Sequence, residues 1–101
     1  MTKFGVHGLV WTGTWGGREC ADTVESSKEA GFDLVEFPVF SPDQMDIPAI
    51  VSALEANDME ATCSLGLGFD NDINSEDAGS VARGEETLMS ALTFAQDIGA
   101  S

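Results

Sequence analysis

Gly31-Phe32-Asp33-Leu34-Val35-Glu36-Phe37-Pro38 reads as a helix stop followed by a strand. Gly31 ends a helix expected over Glu19–Ala30, whose core-facing positions are Ala21, Val24 and the stem of Lys28. Asp33–Pro38 is the strand, apolar apart from its acids, and its pairing is expected to fail at Pro38, which has no N–H to give a ladder. A similar pattern, Lys3–Val10, precedes it and another, Glu60–Leu67, follows, at intervals of about 28 residues. Each is followed by a loop and a helix-like stretch. After the loop Val39–Met45, Asp46 serves as N-cap and Pro48 falls in the first turn, where its missing N–H does no harm. That helix runs to about Ala56, with Ile47, Ile50, Val51 and Leu54 as its apolar stripe. After the polar loop Gly68–Asn74, a helix is expected to start at Ser75 or Ser80, with Val81, Leu88, Leu92, Ala95 and Ile98 at helical spacing. This βα period argues for parallel strands with right-handed crossovers. On period alone, a (β/α) barrel and a doubly wound sheet both fit. No GxGxxG or P-loop follows the first strand, so a nucleotide-binding sheet lacks its usual mark.

The composition narrows the function classes. With 101 residues and 43% hydrophobic content, the chain is expected to form one small α/β domain rather than a disordered segment. No stretch approaches the roughly 20 apolar residues of a membrane helix, and no signal-peptide pattern opens the chain, so a cytoplasmic location and no membrane partner are expected. Eighteen acidic residues against four basic ones give a formal net charge of −14. That charge repels a phosphate backbone and argues against nucleic-acid binding. It fits an acidic soluble surface, or one adapted to high salt. Cys20 and Cys63 show neither a CxxC spacing nor a nearby His pair, so two reduced thiols are expected rather than a zinc site. Asp70, Asp72 and Glu76 lack the spacing of a calcium loop. The closing pattern Asp97-Ile98-Gly99-Ala100 ordinarily hands a chain on to another strand. The expectation is the first part of a larger α/β protein, or a piece that forms a homo-oligomer through its open strand edges.

Strand alternation sorts the polar residues. Phe4 and Val6 share one face of the first strand, opposite Gly5, His7 and Leu9. Val35 and Phe37 oppose Leu34 and Glu36, and Ala61, Cys63 and Leu65 oppose Thr62, Ser64 and Gly66. If the more apolar faces pack on helices, the remaining face carries His7, Glu36, Thr62 and Ser64 toward the strand C-terminal ends. In a barrel, that is where sites are built. His7 reads equally well as a hydrogen-bonded structural histidine or as a ligand contact. Glu36 needs a partner if it is buried. Thr62 reads mainly as a filler. Trp11 and Trp15, on the loop after the first strand, read either as a hydrophobic lid or as cover for a ligand's apolar face.

These segments resemble a known family. Lys3-Phe4-Gly5, Trp11-Thr12-Gly13-Thr14-Trp15, Gly31-Phe32-Asp33-Leu34-Val35-Glu36, Thr62-Cys63-Ser64-Leu65-Gly66-Leu67 and Ser75-Glu76-Asp77 resemble the N-terminal third of the xylose-isomerase-like TIM barrels. Within the sugar phosphate isomerase/epimerase superfamily, the nearest subgroup by these motifs is the ketose 3-epimerases of tagatose/psicose type. The resemblance covers essentially all of residues 1–101 and implies the first three βα units of a (β/α)8 barrel. It further implies a Mn2+ or Mg2+ ion held by two Glu, one Asp and one His on later strands, with none of these ligands and no catalytic residue in this chain. What carries over is the substrate-pocket wall: His7, Trp15, Glu36, Ser64 and Gly66. His7 departs from a position that is usually aromatic, Trp15 matches a tryptophan near the sugar's distal end, and Ser64 matches a small residue beside the substrate. Gly66 leaves that wall clearance, and Glu36 matches a recurrent strand-two glutamate. The implied parent is an isomerase moving a proton next to a carbonyl of a ketose or sugar phosphate; the 101 residues alone are expected to be inactive. The resemblance also admits a hydroxypyruvate isomerase or inosose dehydratase. A reading of another class is a small non-catalytic α/β protein that oligomerises through its sheet edges.

Overall fold

A computed structural model describes residues 2–16 and 18–101. Three strands form one parallel sheet in the order β1 (Gly5–His7), β2 (Leu34–Pro38), β3 (Glu60–Ser64). Each is followed by a helix: α1 (Arg18–Glu29), α2 (Ile47–Asn57) and α3 (Ala78–Ile98). Helix α1 packs on α2, and α2 on α3. Leu34, Val35 and Glu36 of β2 lie opposite Gly5, Val6 and His7, and opposite Glu60, Ala61 and Thr62. The core forms where the apolar face of this sheet meets the helices. Val35, Phe37, Ala61, Val24, Ile50 and Phe94 are each no more than 2% exposed.

Two strands are shorter than their apolar patterns. Gly8-Leu9-Val10 leaves the sheet as a 3-10 turn, because the His7 Nδ1 accepts from the Leu9 N–H and the Gly8 carbonyl accepts from the Trp11 N–H. Leu65-Gly66-Leu67 likewise lies outside β3. Pairing does not fail at Pro38, which stands opposite Ser64 as the last residue of β2, and the Val39 N–H then donates to the Ser64 carbonyl.

The helix boundaries follow their caps. Gly31, at φ +93°, takes the left-handed conformation that ends the first βα unit. The Asp46 Oδ1 accepts from the Ala49 N–H, with Pro48 in the first turn. The Asp77 carboxylate accepts from the backbone N–H and the hydroxyl of Ser80, so α3 begins between the two expected starts. These bonds hold the Asp77 carboxyl below its ordinary range. Asp46→Ala is expected to cost about 1 kcal/mol. For a chain of this size, thermal melting should then fall by about 4–8 °C.

Two helix faces differ from their sequence patterns. Helix α1 buries Cys20, Thr23, Val24 and Ser27, with Ala21 partly covered, while Lys28 is exposed. Ser27 fits there because its hydroxyl donates to the Thr23 carbonyl and accepts from the Trp11 Nε1; the Thr23 Oγ1 is buried with no partner among the described residues. Helix α3 buries Ser80, Gly84, Phe94 and Ile98. Leu92 is 64% exposed. A Cβ at position 84 would overlap the Asn71 carbonyl, so glycine lets α3 lie against the turn after β3.

Candidate functional site

Parallel register brings the polar residues into one row. His7 lies opposite Glu36, and Glu36 opposite Thr62. The Thr62 Oγ1 donates to the Glu36 Oε1 at 3.3 Å. The His7 Nε2 is 3.1 Å from the Ser64 Oγ and 3.8 Å from the Glu36 Oε2. The row is half-buried, with the His7 and Glu36 side chains 33% and 39% exposed. Expected only to share a face, these four side chains form one connected group. Its chemistry is not that of a hydrolytic triad. A triad places the carboxylate and the nucleophile on opposite ring nitrogens. Here both face Nε2, and Nδ1 is taken by the Leu9 N–H.

Trp15 does not join this row; it packs in the core on the other face of the sheet. It is 9% exposed, its ring sits over Gly8, and it meets Phe37 edge-on at 5.9 Å. Its Nε1 is buried without a hydrogen-bond partner among the described residues. Trp15 also borders a cavity of about 310 Å3, together with Thr14, Phe40, Ser41, Gln44 and Met45. Trp11 is 40% exposed and tied to α1 by its bond to Ser27. Gly66 is exposed, and a Cβ there would meet nothing within 4 Å. Gly8 escaped the sequence reading, since no spacing signals that a glycine beside a strand end must admit an indole seven residues on.

The four basic side chains lie elsewhere. Lys3 pairs with Glu60 at the N-terminal ends of β1 and β3, and Arg18 with Asp22 on α1. Lys28 is in the last turn of α1, and Arg83 donates to the Asp70 carbonyl beside Asp77. None contacts the His7–Ser64 row. Among the described residues, no three His, Cys, Asp or Glu side chains come together as a metal site.

Both thiols are free. Burial, with the nearby Glu36 charge, pushes the Cys63 thiol up to about 11. Burial also raises Cys20, whose Sγ donates to the Trp15 carbonyl. At pH 8 the thiolate fraction of Cys63 should lie about 100-fold below that of an ordinary thiol. Maleimide labelling should slow by a comparable factor; labelling at the free-cysteine rate would contradict this environment.

Three parallel βα units with a polar row at the strand C-terminal ends define the opening of a (β/α) barrel. No family model matches the sequence. The sequence is 42% identical over 99 residues to the ketose 3-epimerase of Arthrobacter globiformis, covering 98% of this chain and 34% of that protein. It is 33% identical to the L-ribulose 3-epimerase of Mesorhizobium japonicum, covering 98% of this chain and 33% of that protein. The fold superposes on the crystal structure of the D-allulose 3-epimerase of Methylomonas sp. in complex with D-allulose with a TM-score of 0.92, at 31% identity, over 98% of this chain and 34% of that one. The homologues of this chain are thus ketose 3-epimerases, and its fold is that of the first three βα units of their TIM barrel. The chain spans about a third of the length of the curated relatives it matches.

Proposed function

We propose that this chain forms the substrate-facing wall of a ketose 3-epimerase, with His7, Trp15, Glu36, Ser64 and Gly66 around an unphosphorylated ketose. The observation that carries the reading is the connected His7–Glu36–Thr62–Ser64 row at the strand C-terminal ends, in a chain similar over 98% of its length to such epimerases. The row offers a carboxylate together with neutral hydroxyl and imidazole donors and acceptors, all suited to sugar hydroxyls. Among the described residues no Lys or Arg side chain bonds to it, and a net charge of −14 disfavours a phosphorylated sugar. Inversion at carbon 3 requires a proton to leave one face of the carbon and return on the other. A divalent ion, Mn2+ or Mg2+, would polarise the substrate oxygens from residues outside this chain. The role of this wall is then to bind and orient the sugar, while Trp15 and Phe37 pack beneath the sheet on its core side and stiffen it. Association through the outer edges of β1 and β3 is proposed as well, supported by the exposed Phe4, Leu9 and Val10 beside β1.

The test is a chimera in which these 101 residues replace the N-terminal third of the Arthrobacter globiformis enzyme. Supplied with Mn2+, it should epimerise a free ketose and leave the corresponding ketose phosphate untouched. A folded chimera inactive on every free ketose would overturn the reading. Turnover confined to the phosphate would overturn its substrate class.

A further inference from the structure

We propose that His7 is a positioning residue that fixes the direction of a hydrogen-bond chain ending at Ser64, so that the Ser64 hydroxyl proton points away from the ring and is left to donate to a bound ligand. The inference rests on the ketose reading for the identity of that ligand, but its first step does not.

Two contacts set the tautomer. The Leu9 backbone N–H donates to the His7 Nδ1 at 3.2 Å, so Nδ1 must carry a lone pair. The ring proton of the neutral imidazole then lies on Nε2. On that side the Glu36 carboxylate stands 3.8 Å away, where it favours an N–H over a lone pair. The nearest acceptor for the Nε2–H is the Ser64 Oγ at 3.1 Å. A serine hydroxyl has one proton and two acceptor sites. His7 occupies one of those sites as a donor, so the hydroxyl proton must point elsewhere. Thr62 meanwhile holds Glu36 in place by donating to its other oxygen. The order runs from the Leu9 N–H to His7, from His7 to Ser64, and from Ser64 outward to a ligand oxygen. The pair therefore presents a directed donor to a ligand acceptor at this point, here a hydroxyl or carbonyl oxygen of the ketose. It also rules out His7 as a base for Ser64, since no lone pair faces the hydroxyl.

His7 is the single histidine of the chain, so its ring nitrogens can be observed without assignment ambiguity. In a 15N–1H correlation on the 101-residue protein at pH 8, Nε2 should be protonated and Nδ1 bare. Glu36→Gln should shift the balance toward the other tautomer. A predominant Nδ1–H form, or an evenly mixed population in the unmutated chain, would overturn the proposal whatever the ligand. In the chimera, His7→Phe removes the donor and should raise KM for the ketose about 10-fold, with a much smaller change in kcat. His7→Gln restores an N–H at a similar reach and should recover most of that loss. Equal KM values for the Phe and Gln variants would also overturn it. A chimera that fails to turn over any ketose sinks the functional reading instead and leaves the tautomer measurement decisive.

Discussion

Phe37→Ala should cost about 3–5 kcal/mol, the range for emptying a fully buried aromatic site. Phe37 lies on the central strand, is fully buried, and holds the edge-to-face contact with Trp15 at 5.9 Å and 74°. Its loss therefore removes core volume and the surface on which the tryptophan rests. Small domains have only about 5–15 kcal/mol in total, so the variant should be largely unfolded at modest urea concentrations. The check is a urea titration followed by circular dichroism, with a lower midpoint and an unchanged slope. A loss below about 1 kcal/mol would mean that Phe37 is not enclosed as described.

Gly8→Ala should be the second large effect, and its sign follows from two opposed terms. Alanine reduces the freedom of the unfolded chain and would add about 0.4–1 kcal/mol of stability if it fitted. It does not fit, because its Cβ would overlap the six-membered ring of Trp15. Overpacking against a well-ordered neighbour costs about 1–3 kcal/mol, so the net effect is destabilising. An indole cannot yield at its tip as an alkyl chain does. Gly5→Ala makes the comparison, since its Cβ would meet the end of the Leu34 side chain, which can rotate away. The position-8 variant should be the less stable of the two, and its tryptophan emission should shift to the red as Trp15 gains water. Unchanged emission with full stability would contradict the placement of Trp15 under Gly8.

The polar row was legible in the sequence because the pleat allows only two faces. Once Val35, Phe37 and Ala61 are given to the core, His7, Glu36, Thr62 and Ser64 must share the other. What alternation does not give is distance, and the bond from His7 to Ser64 depends on register across three strands. Strand ends were over-read for a related reason. Leu9, Val10, Leu65 and Leu67 are apolar enough for a strand, but a side-chain bond from the Leu9 N–H turns the chain out of β1. Helix α3 shows the limit of periodicity. Leu88, Leu92 and Ala95 recur at helical spacing, yet they line a groove of about 260 Å3 beside Cys63, Ser64 and Leu65 rather than the packed core. Burial of a helix face depends on what covers it, and that is not written in the helix. Ser80 and Gly84 are buried instead because small residues let α3 approach the turn after β3. The polar buried face of α1 was missed because the Ser27 hydroxyl is satisfied within the helix and by Trp11, which hydropathy cannot register, while the buried Thr23 Oγ1 has no partner among the described residues.

Solvent deuterium uptake by a free ketose in the chimera is the most direct test of the central claim. In D2O, with Mn2+ present, deuterium should appear at carbon 3 of the recovered sugar and at no other carbon, since the proposed wall holds that carbon at the site of proton transfer. Deuterium at carbon 1 or 2 alone, or none in a folded chimera, would contradict a ketose 3-epimerase wall.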